Sequence, residues 1–146
     1  MQSLSDILLT PQKKEALFSD CVQLLESQVA NLSGLKGMAL KTTVNMLKSA
    51  KPGVLDRAVS ILIPEFLKIL EPLHQQFRQS GEGDFSLFLQ KHARETSVAL
   101  LSVADARITN GSSTAQSVYA KFRGTAETQI LEALPRLSKI LNRYLD

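Results

Sequence analysis

Side chains able to do covalent or proton-transfer chemistry are scarce in this chain. It holds one cysteine, Cys21, and two histidines, His74 and His92, so thiol and imidazole catalysis have few carriers. Cys21 falls among leucines, where a thiol behaves as a small hydrophobe with a raised pKa. A Cys21–His92 nucleophile would require the two to meet near the centre of the fold, and a buried structural cysteine is the expectation instead. Glu71-Pro72-Leu73-His74 has the Glu-x-x-His spacing of carboxylate-bridged di-metal bundles, but such a site needs two copies and the chain has one. His92 and Glu95 repeat the i, i+3 spacing on an apolar stripe, which points to a hydrogen-bonded core histidine. No phosphate-cradling glycine loop, His-Glu-x-x-His or Gly-x-Ser-x-Gly motif is present. A non-enzyme without a cofactor is the expectation.

Two polar groupings remain. Asp105-Ala106-Arg107 lies on or beside an apolar helical face; residues i and i+2 do not face each other on a helix, so each is expected to bond to another element as a structural clamp. Residues 33–55 carry Lys36, Lys41, Lys48 and Lys51 and no acid, a local charge of +4 in a chain of net +3. That face could meet phosphate, anionic lipid or an acidic partner. No aromatic residue interleaves the lysines to stack a base, so nucleic acid is not the expected partner.

The elements that must carry these residues are helical. The chain has 146 residues, 44% of them hydrophobic, which suits one domain with one core. Apolar positions recur at three and four, not two, giving an all-α bundle of six to eight helices. A Ser3- or Ser5-capped turn comes first, then a helix from Thr10-Pro11 with the stripe Leu17, Phe18, Cys21, Leu24, Leu25, Val29 and Leu32, ended by Ser33-Gly34. Leu35, Met38, Ala39, Thr42, Thr43, Met46, Leu47 and Ala50 share the inward face of the next helix. Pro52 opens another, with a bend expected at Ile63-Pro64. After a loop at 79–84, one helix is expected from Asp84 to about Ile108, a short one to Gly124, and a last one interrupted at Pro135. A single cysteine fits a reducing compartment, no stretch reaches the roughly 18 apolar residues of a membrane span, and the start lacks the basic region of a secretory signal. A cytoplasmic location follows as the default.

Shifting the chain on itself by 71 residues aligns Pro64–Leu70 with Pro135–Leu141 at four of seven positions and superposes Gly53 on Gly124. This raises an internal duplication with half-repeats 11–75 and 84–146 inside a single domain spanning 1–146. The runs Ser33-Gly34-Leu35-Lys36-Gly37, Lys51-Pro52-Gly53, Leu62-Ile63-Pro64-Glu65-Phe66, Ala104-Asp105-Ala106-Arg107 and Ala133-Leu134-Pro135-Arg136-Leu137, in this order, resemble a family of small bacterial all-helical proteins of uncharacterised function. The resemblance covers nearly the whole chain and supplies no catalytic residues. The expected role is a non-catalytic interaction or scaffold module that holds a protein partner through an apolar groove or the Lys36–Lys51 face, or that self-associates. The alternative is a binder of an apolar or anionic, lipid-like small molecule in the bundle interior.

Overall fold

A computed structural model describes residues 2–145. Among them are seven α-helices and no strand: α1 (Leu4–Leu8), α2 (Pro11–Ala30), α3 (Gly34–Ala50), α4 (Val54–Ser80), α5 (Phe85–Lys91), α6 (Ala93–Ile108) and α7 (Ser113–Arg143). The protein is an all-α bundle, as the apolar periodicity requires.

Local chemistry sets most boundaries. Ser3 Oγ accepts from the Asp6 amide while the Asp6 carboxylate accepts from the Ser3 amide, each at 3.1 Å, a reciprocal cap that makes five residues helical. Pro11 opens α2 at the position where a missing N–H is harmless. Gly53 and Gly81 flank α4 in the left-handed region, at φ +83° and +77°, where a Cβ would be strained.

Prolines 64, 72 and 135 lie inside helices that continue through them. Each lacks the amide that position i−4 needs, leaving the carbonyls of Ser60, Lys68 and Leu131 without that donor. Ser60, Lys68 and Leu131 are all exposed, so water replaces what the ladder lost. The hydrogen-bond ladder is interrupted and the helix is not.

Two sequence expectations shift here. Residues 85–108 form two helices that meet at His92, whose backbone (φ −104°, ψ 36°) departs from helical geometry. Conversely, α7 runs 31 residues straight past Gly124, where a break was expected. A mid-helix glycine is a penalty of about 1 kcal/mol, not a stop, and buried Phe122 and Leu134 on either side hold α7 against the bundle. In the 71-residue register, Gly53 ends a turn while Gly124 sits within a helix, so the helix boundaries of the two halves do not coincide.

The core is one cluster. Leu4, Leu8, Leu17, Cys21 and Leu24 meet Ile63, Leu67, Leu70 and Leu73 of α4, Phe85, Phe88 and Leu89 of α5, Leu100 of α6, and Leu134 and Leu141 of α7. α4 packs on α1, α2 and α6, and α7 packs on α2, α5 and α6. Pairing of Asp20 with Arg143 and of Gln28 with Arg136 shows that α2 and α7 run antiparallel. The carboxylate of Glu71 accepts from the Leu4 amide at 2.7 Å and so fastens α1 to α4.

α3 departs from expectation. Its only buried residue is Gly37, whose missing Cβ lets the helix turn back closely on Leu32. The inward line is Gly37, Leu40, Lys41 and Val44, buried or half-buried, whereas Leu35 is 95% exposed, Met46 67% and Met38 51%. The helix is apolar on both sides, and periodicity alone does not say which side meets the core.

Candidate interaction surface

The four lysines of α3 and its following turn do not form one open basic face. Lys41 Nζ donates to the Ala30 carbonyl at 3.1 Å, satisfying a group at the C-terminal end of α2. Lys48 pairs with Glu26 of α2 at 3.6 Å. Both therefore tie α3 to α2. Lys36 and Lys51 are exposed and form no ion pair among the described residues. What α3 presents outward is an uncharged stripe of Leu35, Met38, Thr42 and Met46, about 17 Å long at 1.5 Å per residue. Lys36 and Lys51 are the free charges that the helix and its following turn present.

The Asp105-Ala106-Arg107 run points two ways. Asp105 accepts from Arg123 Nε at 2.9 Å, from Arg123 Nη2 at 2.8 Å and from the Tyr119 hydroxyl at 2.6 Å, which joins α6 to α7. The guanidinium fork and then the phenol hold its carboxyl down at about 2. Tyr119 is pushed up to about 12, by burial first and by Asp105 second. Arg107 instead reaches α4, 3.5 Å from Glu65, on one wall of an open groove of about 550 Å³. Ile69, Val103 and Ala106 line this groove, with Glu65, Lys68, Ser102, Arg107 and Asn110 as its polar groups.

The remaining candidates lie apart from these. His92 is half-exposed at the α5–α6 junction, its Nδ1 3.3 Å from Glu95 and its ring 4.5 Å from that of Phe88; it is not a core histidine. His74 is the buried one, 3% exposed, edge-on to Phe85 with centroids 5.2 Å apart. Its pKa is lowered by burial and then by Arg78, against an opposing pull from Glu71. Glu71 is occupied by Leu4 and by Gln75, so the Glu-x-x-His spacing here serves packing. Cys21 sits in the core with its thiol pushed up to about 12 by burial, unlike a nucleophile at neutral pH. Among the described residues no three of His, Cys, Asp and Glu gather closely enough to hold a metal.

The five runs noted in the sequence occupy the turn into α3, the turn into α4, the proline segments of α4 and α7, and the end of α6, where Glu65 and Arg107 meet. The chain belongs to a family of unknown function, DUF6918, whose model matches residues 4–145. No curated protein and no solved structure matches the chain. The family match covers all seven helices, so α3 and its exposed stripe belong to the shared domain and not to an appendage. No helix is long and apolar enough to cross a membrane among the described residues.

The partners of Asp105 escaped sequence reasoning because they lie 14 and 18 residues away on another helix, with no fixed spacing to mark them. The same holds for Asp20, which accepts from Tyr144 and Arg143 across more than 120 residues.

Proposed function

We propose that this protein is a non-catalytic docking module whose α3 receives an acidic amphipathic helix from a partner protein. The observation that carries this reading is the outward stripe of Leu35, Met38 and Met46 on a helix whose only free charges nearby are lysines. Leaving large aliphatic side chains in water is unfavourable by about 25 cal/mol per Å² of apolar surface, and covering them recovers that free energy. Methionines adapt their shape to an incoming helix. Charge selects the occupant. From Ser27 to Leu55 the chain has no acid, so a second copy would set Lys36 and Lys51 against their own kind, whereas a glutamate-edged helix would pair with them. A lipid surface fits less well. No aromatic residue lies between Phe18 and Phe66, and helices that lie in a bilayer interface favour tryptophan or phenylalanine on the buried face. The single buried thiol goes with a cytoplasmic setting for this docking.

The test is a photo-crosslinking residue placed at Met46 in the native host, with Leu87, an exposed aliphatic on α5, as control position. The expected adduct maps to an acidic, helical segment of another protein and disappears on Leu35→Asp. Adducts with lipid, with a second copy of the chain, or equally at Leu87 would refute the reading.

A further inference from the structure

The seam between α2 and α7 is closed at both ends and open in the middle. At one end Arg143 and the Tyr144 hydroxyl both donate to Asp20, at 2.9 and 2.5 Å. At the other, Arg136 donates to the neutral amide of Gln28 at 3.3 Å. Between them a groove of about 440 Å³ is lined by Gln23, Ser27 and Lys139. Lys139 has no hydrogen bond or ion pair among the described residues, and neither do the side chains of Gln23 and Ser27.

Charge is unbalanced across this seam. Arg136, Lys139 and Arg143 recur at i, i+3 and i+7 on one face of α7, yet the groove holds one carboxylate, Asp20, already taken by two donors. Glu26, the nearest other acid of α2, pairs with Lys48 of α3. Two positive charges are left over beside a hydroxyl and an amide. We infer that the α2–α7 groove is a binding site for a phosphate monoester, held by Lys139, the unused nitrogens of Arg136, Ser27 and Gln23. At pH 7 such a group carries about −1.5 to −2, matching the excess, and its three oxygens can each take a donor. The site is independent of the α3 surface.

Titration of the full chain with inorganic phosphate, followed by backbone amide NMR against sodium chloride at matched ionic strength, tests the inference. The expected result is a saturable shift centred on Gln23, Ser27 and Lys139, weakened about tenfold by Lys139→Gln and left unchanged by Lys121→Gln, elsewhere on α7. Both variants replace exposed side chains, and circular dichroism verifies the fold. Glycerol 3-phosphate and phosphatidate vesicles then distinguish a soluble ligand from a lipid headgroup, and a Lys139-dependent preference for either supports the site. Shifts no larger than with chloride, or binding of any anionic vesicle that survives Lys139→Gln, would overturn it.

Discussion

Ser138→Ala should stabilise this protein. Ser138 is fully buried on α7, between the core residues Leu134 and Leu141, and its hydroxyl has no hydrogen-bond partner. A buried hydroxyl without a partner is unfavourable by about 1–3 kcal/mol. Alanine removes that penalty and adds roughly 0.5 kcal/mol of helix propensity. Against this stand the lost dispersion contacts of one oxygen and a void too small for water, together about 0.5–1 kcal/mol. The net expectation is a gain of about 0.5–3 kcal/mol. At roughly 2.1 cal/mol/K of unfolding entropy per residue, a chain of 146 residues gives about 0.3 kcal/mol/K, so Tm rises by about 2–10 °C. Urea unfolding followed by circular dichroism should show a higher midpoint with an unchanged slope. A lower midpoint would refute the reasoning, because it would mean that the hydroxyl is bonded after all, for instance to a buried water.

Three further outcomes follow from particular side chains. The carboxyl of Asp105 is held below its ordinary value, so its contribution is present above about pH 3.8 and fades as pH falls towards about 2; Asp105→Asn should flatten acid unfolding in that window, and an unchanged acid limb would count against the anchor. His74 is kept neutral by burial, so the unfolded chain takes up its proton first as pH drops below about 6.5, and stability declines from there; His74→Leu should abolish that part of the decline in urea melts at pH 7.5 and 5.5. Arg107→Met should lower stability by less than about 1 kcal/mol, because its pair with Glu65 is 3.5 Å long and half in water; a larger loss in thermal melts would mean a clamp as strong as that of Asp105.

Much of the fold was legible because burial writes itself into spacing. Leu24, Leu70, Leu100 and Leu134, taken from four separate stripes, all lie in the common interior. The proline and capping signals placed the starts of α1 and α2. What escaped were features decided by contacts distant in sequence. Either side of α3 could have been the inner one, and the outcome rests on Gly37 meeting Leu32 and on Lys41 and Lys48 reaching α2. The uncharged stripe became a candidate surface only once that was known. Similarly, spacing says that Asp105 and Arg107 each bond to another element but not to which; the structure sends one to α7 and the other to α4.

The three internal prolines also bear on where anything can attach. Beyond α3, Ile61, Ile69 and Leu131 are among the few other exposed large aliphatics, and each is at or next to a residue whose carbonyl has lost its helical donor. An apolar body pressed there would strip water from an oxygen that nothing else can satisfy, a penalty on the order of 2 kcal/mol or more. α3 contains no proline, and the carbonyls of Leu35, Met38 and Met46 all lie where the helix supplies an amide four residues on. Greasy side chains beside prolines are thereby kept wet, and dehydration is steered to helices without an internal proline, α3 among them.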